Sequence, residues 1–234
     1  MPRIETIYIS ILTTSEDNAT AASLANREKY WDDIITFRII AVIVLGLIAV
    51  AGMVGNALTV AVVLRHKDIK SITDILITSL AVADILFIVF CVPFDVVSIA
   101  MARWPFGISW CIITVYFTHA SGYAGMYTLV LISFDKYLAL VHPIRSLYLR
   151  TKKNCYVILT VIWSIVLFGN MPLIFGSDGK DFISYNPLCI KGNPLRGSPR
   201  QMFSIFFFLF GFLLPIILMC ALYGNILKIF LTGN

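Results

Sequence analysis

A carboxylate and an amide interrupt apolar stretches of this sequence. Asp84 lies in the run Ser79-Leu-Ala-Val-Ala-Asp-Ile-Leu, and Asn56 follows Gly55 in an earlier run. Charged side chains at membrane depth are costly and usually serve a function. A carboxylate there predicts ion or proton binding, with Asn56 sharing a hydrogen bond. The alternative is a structural polar contact between two helices.

A second polar group, Asp135-Lys136-Tyr137, lies near the end of another apolar run. Its charge pattern alone favours Lys136 reaching to the membrane interface beside Asp135. His119 is more typical of a cavity-lining hydrogen-bonding residue than of a metal ligand, because its helix has no second His or Cys at ligand spacing. The sequence contains no Ser/His/Asp arrangement, phosphate-binding glycine loop or zinc signature. It therefore predicts neither an enzyme nor a cofactor.

The composition indicates a membrane protein. Apolar residues make up 59% of the 234 residues and charged residues 13%, against roughly 45–50% and about 25% in soluble chains. The net charge of +5 comes from basic residues in short loops between apolar runs. We therefore predict a lipid bilayer as a partner, and no nucleic acid.

Five apolar runs are long enough to cross about 30 Å of hydrocarbon at about 1.5 Å per residue. They cover about 37–64, 72–100, 109–141, 155–175 and 203–231. Helices are the expected form, because lipid offers no partner for backbone polar groups, and β-barrel alternation is absent. The predicted fold is an all-α, polytopic membrane helical bundle over residues 34–234.

The loop charges predict the orientation of the chain. Basic residues concentrate in the first-to-second and third-to-fourth connections, which the positive-inside rule places in the cytosol. Residues 1–33 are then outside the cell, and their polar, mixed-charge composition predicts a flexible extracellular tail. Asn18, in Asn18-Ala19-Thr20, is a glycosylation acceptor on the correct side. The loop residues are Arg65, His66, Lys67 and Lys70, and Arg145, Arg150, Lys152 and Lys153.

Cysteines, prolines and one tryptophan complete the observations from residue types. Of five cysteines, only Cys111 and Cys189 lie in segments predicted to face outward, so at most one disulfide is expected. Prolines inside the runs predict kinks and freed carbonyls near cavities. Trp163 is most simply a packing residue. The prolines are Pro93, Pro172 and Pro215.

Together these residues resemble the rhodopsin-like G-protein-coupled receptors in order and spacing. The stretch from Thr128 to Arg145 looks like the allatostatin-A and galanin receptors of the neuropeptide branch. The resemblance covers about Gly55 to Tyr223, or five of the family's seven helices. The motifs are Gly55-Asn56, Leu80-Ala-Val-Ala-Asp84, Trp104-Pro-Phe-Gly107 before Cys111, Asp135-Lys-Tyr137, Trp163, Cys189, and Pro215 with Tyr223.

The resemblance implies a role for each motif. Cys111 and Cys189 look like the disulfide that holds the second outer loop over the ligand cavity. Asn56 and Asp84 look like the polar pair of a sodium pocket, where sodium would bind weakly. The cytosolic switch facing a heterotrimeric G protein would comprise Asp135, Lys136, Tyr137 and Tyr223.

The sequence departs from the family pattern in three ways. Lys136 stands where the family has arginine, and a lysine lacks the planar, bidentate fork. Gly125 replaces a serine that often binds sodium, which removes one oxygen. Helices six and seven are absent from the sequence, so it looks truncated after the fifth helix.

The resemblance narrows the ligand by exclusion. Thr118 stands where amine receptors carry an aspartate, and the retinal-binding lysine belongs to the absent seventh helix. The prediction is therefore a plasma-membrane receptor for an extracellular neuropeptide, signalling through nucleotide exchange on a G protein. Alternatives are a non-signalling fragment that associates with other receptors, an incomplete gene model, or a transporter or channel. The predicted ligand cavity comprises Phe94, Asp95, Phe117 and Thr118.

Overall fold

The computed structural model describes residues 2–65, 71–175 and 205–232, with side chains described from residue 29 onward except at positions 145, 147 and 175. The chain divides into two compact units, 1–44 and 45–234. Apart from Asn18, the site residues lie in the second unit.

The described residues form helices and no strand, and the predicted helical bundle is confirmed. Five stretches are long and apolar enough to cross a membrane: Lys29–Arg65, Ile72–Met101, Gly107–Val141, Lys152–Ile174 and Ile205–Thr232. The helices are α1 (Pro2–Arg65), α2 (Ile72–Phe90), α3 (Val92–Met101), α4 (Gly107–Val141), α5 (Pro143–Leu149), α6 (Lys152–Gly169), α7 (Pro172–Phe175) and α8 (Ile205–Thr232).

Helix α1 begins much earlier than the sequence predicts. It runs for 64 residues from Pro2, whereas the first span is predicted from residue 37 and a flexible tail before it. Between Pro2 and Gly46 the sequence has neither proline nor glycine, the two residues least compatible with a helix interior. The structure thus differs from the predicted tail in its conformation, while its extracellular location stays a prediction.

A proline divides the second predicted span into α2 and α3. Pro93 has no N–H to continue the helix, and the amides of Phe94 and Asp95 both donate to the Cys91 carbonyl at 3.1 Å. The Phe90 carbonyl is freed and accepts a hydrogen bond from Thr114 Oγ1 at 3.3 Å. The predicted effect of Pro93 is confirmed, and the freed group ties α2 to α4.

Pro215 has a similar effect on α8. A π-helical turn covers Leu209–Leu213, and the amide of Leu214 donates to the Leu209 carbonyl. In that register the Phe210 carbonyl would pair with residue 215, a proline without an N–H. Tyr127 Oη of α4 donates to this carbonyl instead, at 2.8 Å.

Helix α4 packs against α2, α6 and α8. The buried cluster at these contacts includes three small residues, Ala83 of α2 and Ala120 and Ala124 of α4, which are at most 1% exposed. Small residues let helices approach closely in a membrane. On the α8 side, a Cβ at Gly211 would lie 2.7 Å from Tyr123 Cε1. Glycine is thus needed where α8 meets the Tyr123 ring.

Helices α2 and α6 begin at side-chain caps. Ser71 Oγ accepts from the Asp74 amide at 3.1 Å, and Asp74 Oδ2 accepts from the Ser71 amide at 2.8 Å, a capping box. Thr151 Oγ1 accepts from the Asn154 amide at 3.2 Å at the start of α6. These caps define where α2 and α6 begin, and Asp135 lies beside both helix starts.

Candidate functional site

The end of α4 near the basic loops carries a buried ionic cluster around Asp135. Arg150 donates from Nε to Oδ1 at 2.5 Å and from Nη2 to Oδ2 at 3.1 Å. Thr73 Oγ1 of α2 donates to Oδ2 at 3.2 Å. Asp135 is 5% exposed and the Arg150 side chain 30% exposed. Within the described part of the chain the carboxylate therefore accepts from three donor atoms, two of them in the planar guanidinium fork that suits a carboxylate best.

The path of the chain after α4 explains this pairing. His142 ends α4, and Pro143 opens the short helix α5, whose C-cap is Arg150. One further residue, Thr151, starts α6. This short connection brings Arg150, 15 positions further along the chain, back to the Asp135 carboxylate.

The predicted switch residues do not all come together. Lys136 is exposed and, among the described residues, is in no ion pair within 4 Å. Tyr137 packs edge-on to His142 with ring centroids 5.6 Å apart and a hydroxyl contact of 3.4 Å to Nε2. Tyr223 of α8 is 51% exposed. The partner of Asp135 is thus Arg150, which the sequence analysis counted only as a basic loop residue.

Asn56 and Asp84 are brought together in the middle of the bundle. The Asn56 side chain interacts with the half-buried carboxylate of Asp84, and Asn56 Nδ2 also donates to the Gly52 carbonyl at 3.0 Å. Gly125 faces Leu80, whose Cδ1 lies 3.7 Å from where a Cβ would stand. The pair offers one carboxylate and one amide, and Gly125 adds no side-chain oxygen. A sodium site there stays a prediction.

The predicted ligand-cavity residues fall into two groups. Phe117 stacks on Phe90 with centroids 4.1 Å apart, and Thr118 Oγ1 donates to Cys91 Sγ at 3.2 Å, so both pack on the break between α2 and α3. Phe94 instead packs with Trp110 at 4.7 Å. Asp95 is half-buried, one residue further along α3.

An aromatic cluster surrounds Phe94 at the end of the bundle remote from Arg150. Phe94 meets Phe106 at 5.0 Å, and Trp104 meets Phe106 at 5.3 Å. Trp104 Nε1 donates to the Gly107 carbonyl at 2.8 Å, and Gly107 has a φ of 74°, a conformation that glycine adopts without strain. The indole N–H of Trp110 is buried without a partner in the described part of the chain.

The cysteines agree with a single disulfide as far as they are described. Cys111 is buried and disulfide-bonded, and Cys91, Cys155 and Cys220 are free thiols. Cys189, the predicted partner, lies outside the described residues, as does the side chain of Asn18. The pairing and the glycosylation stay predictions.

Trp163 does more than pack. Its Nε1 donates to Ser79 Oγ at 3.0 Å, and Ser79 Oγ lies 3.4 Å from Thr128 Oγ1. The indole thus joins α6 to α2 and α4 through a small polar network. No spacing rule in one sequence could have identified these partners, because they depend on how three helices pack.

Comparison with known proteins agrees with this architecture. The family model "7 transmembrane receptor (rhodopsin family)" matches residues 55–233. The chain is 39% identical to the allatostatin-A receptor of Bombyx mori over 181 residues, covering 76% of this chain and 50% of that receptor. It is 34% identical to galanin receptor 2b of Danio rerio over 196 residues, covering 83% of this chain and 51% of the relative.

A third relative, somatostatin receptor type 2 of Sus scrofa, is 30% identical over 206 residues, covering 88% of this chain and 55% of the receptor. The chain thus spans about half the length of the curated relatives it matches. The family model covers most of the chain, including Asn56, Asp84, Asp135 and the cysteine Cys111. The chain is a multi-pass membrane protein that belongs to the rhodopsin family of seven-transmembrane receptors.

Proposed function

We propose that this chain is a receptor polypeptide for an extracellular neuropeptide and that it acts on a heterotrimeric G protein. The observation that carries the proposal is the Asp135 cluster at the end of α4, in a chain similar to receptors named for allatostatin-A, galanin and somatostatin. A partner that binds better to a state in which this ion pair is broken would shift the receptor toward that state.

The two ends of the bundle support different roles in this proposal. The Arg150 end carries Lys152 and Lys153 and faces the cytosol under the positive-inside rule. The remote end carries the aromatic cluster around Phe94 and the predicted disulfide at Cys111. Aromatic surfaces with a few polar groups are typical of recognition sites. The protein would therefore lie in the plasma membrane with its N-terminus outside.

Expression in cultured cells tests the proposal. The full chain with an N-terminal epitope tag is stained without permeabilisation, and labelled allatostatin-A is then applied. We expect surface staining and saturable binding, with weaker binding of galanin and somatostatin. Staining only after permeabilisation, or no saturable binding of any of the three peptides, contradicts the proposal. If the chain instead lowers surface delivery of a co-expressed seven-helix receptor, the alternative of a non-signalling partner is favoured.

Lys136 provides the test of G-protein action. Peptide-stimulated nucleotide exchange is compared in the wild type and in Lys136→Arg, which restores the family's planar fork. We expect the variant to raise exchange about tenfold, the scale of one additional charge-assisted hydrogen bond. Unchanged peptide binding is the internal control. Equal exchange in the two proteins would mean that position 136 does not touch the G protein.

A further inference from the structure

Thr151 lies in a basic segment between two helices, directly after the residue that holds Asp135. Arg150 precedes it, and Lys152 and Lys153, both exposed, follow it. Thr151 is the N-cap of α6 and has an extended backbone, with a φ of −110° and a ψ of 146°. Its side chain is partly exposed. A partly exposed threonine with cations on both sides has the charge pattern by which basophilic protein kinases select their substrates.

Two hydroxyl groups of this connection differ in how they are held. Ser146 also follows a basic residue in the sequence, but it is 7% exposed and its Oγ donates to the Pro143 carbonyl at 2.7 Å. Thr151 Oγ1 accepts instead, from the Asn154 amide at 3.2 Å. A phosphate oxygen could take over this acceptor role, because amides at a helix N-terminus favour anions. Phosphorylation of Thr151 would therefore preserve the cap of α6.

Thr151 and the Asp135 ion pair line the same cavity between α2, α4 and α6. The Arg150 side chain is 30% exposed and Asp135 is 5% exposed, so a phosphate on Thr151 would lie beside the more exposed partner of the pair. A phosphothreonine carries about −1.5 to −2 charges and three acceptor oxygens, against a single charge on a carboxylate. The guanidinium fork suits a phosphate as well as a carboxylate. The phosphate would thus compete with Asp135 for Arg150.

We propose that Thr151 is a phosphorylation site and that its phosphate withdraws Arg150 from Asp135. A kinase transfers the γ-phosphoryl group of ATP to Thr151 Oγ1. The Oγ1–P bond forms, the bond from that phosphorus to the β-phosphate oxygen breaks, ADP leaves, and the hydroxyl proton passes to the catalytic base of the kinase. Asp135 then keeps Thr73 as its donor among the described residues, as a buried charge without its cation. The inference rests on the cytosolic orientation of the proposed function, because ATP-dependent kinases act in the cytosol.

The first test locates the modification. The purified full chain in lipid nanodiscs is treated with ATP and the catalytic domain of protein kinase C, a basophilic kinase, and mass spectrometry identifies the phosphorylated residues. We expect phosphate on Thr151 and none on the buried Ser146. Thr151→Ser should keep the phosphate at this position, and Thr151→Val should lose it. No phosphate at position 151, or equal labelling of Ser146, overturns the site.

The second test asks whether the phosphate takes Arg150 from Asp135. Asp135→Asn removes the charge that Arg150 holds, and its effect on the equilibrium constant of unfolding is measured before and after phosphorylation. We expect this effect to fall about tenfold on phosphorylation, because the ion pair is then already broken. Asp74→Asn is the matched control, since Asp74 accepts from the Ser71 amide at the start of α2. Its effect should be the same in both forms.

Two outcomes of the second test overturn the exchange of partners. One is an equal effect of Asp135→Asn in the phosphorylated and unphosphorylated proteins, which would mean that Arg150 stays on the carboxylate. The other is an equally large fall for Asp74→Asn, which would mean that the phosphate acts on the helices as a whole. No step uses a peptide or a G protein, so failure here is distinguishable from failure of the proposed function.

Discussion

Two aspartates of this bundle, Asp135 and Asp84, are held in different ways. Asp135 is 5% exposed and receives two hydrogen bonds from Arg150 and one from Thr73. Asp84 is half-buried and interacts with the neutral amide of Asn56. A buried charge is costly unless it is paired and hydrogen-bonded. Asp135 therefore depends on one loop cation for its stability, whereas Asp84 has no charged partner among the residues that the structure describes.

Removing the cation tests this difference most strongly. Arg150→Ala leaves the Asp135 carboxylate buried with Thr73 as its remaining donor among the described residues, so we expect the free energy of unfolding to fall by about 2–4 kcal/mol. Unfolding can be followed with a thiol-reactive dye, because Cys91 and Cys155 are buried free thiols. A Cys220→Ser background removes the exposed thiol.

Two further variants give the Arg150 measurement its controls. Lys136→Ala removes a neighbouring exposed cation and should change the unfolding free energy by less than about 0.5 kcal/mol. Asp135→Asn combined with Arg150→Ala removes both charges and should recover part of the loss. Equal losses in Arg150→Ala and Lys136→Ala would contradict the assignment of Arg150 as the partner.

Removing Thr73, the neutral donor to Asp135, should lower the free energy of unfolding by an intermediate amount. Thr73→Val keeps the side-chain shape and removes the hydroxyl that lies 3.2 Å from Oδ2. We expect a loss of about 1–2 kcal/mol, because hydrogen bonds to charged groups are stronger than neutral ones. Thr160→Val is the control, since Thr160 is exposed on α6 and donates only to its own helix, at the Tyr156 carbonyl. A loss no larger than in Thr160→Val would show that Thr73 does not stabilise the carboxylate.

The same comparison separates what the sequence could predict from what it could not. The five spans follow from run length and hydrophobicity, and Asp84 is identified because a carboxylate is rare at that depth. Its pairing with Asn56 was predicted, since both residues lie mid-depth on successive helices. Pro93 was also informative, because a missing N–H has a local effect that no neighbour can cancel.

Arg150, Tyr127 and Trp163 could not be identified in this way. Arg150 reaches Asp135 only because α5 returns the chain beside α4, and the sequence does not specify that path. Tyr127 donates to the Phe210 carbonyl because a π-helical turn leaves that group unpaired before Pro215. Trp163 donates a hydrogen bond to Ser79 because α6 packs on α2. Each contact depends on where two helices meet, which a single sequence does not encode as a pattern.

Among the groups that hold or form the two carboxylates, the smallest effect is expected at Asp84, the second aspartate of the comparison. Asp84→Asn removes a half-buried charge whose partner Asn56 is neutral, and an amide can still hydrogen-bond to an amide. The substitution loses the interaction of the charge with Asn56, but it also removes the cost of burying that charge. These two effects oppose each other, so we expect a change of less than about 1 kcal/mol in the free energy of unfolding. The dye assay is then run in sodium chloride and in potassium chloride. The predicted weak sodium site requires that sodium stabilise the wild type and not Asp84→Asn. A loss as large as that of Arg150→Ala would mean that Asp84 has a charged or strongly donating partner, and that the two aspartates are held alike.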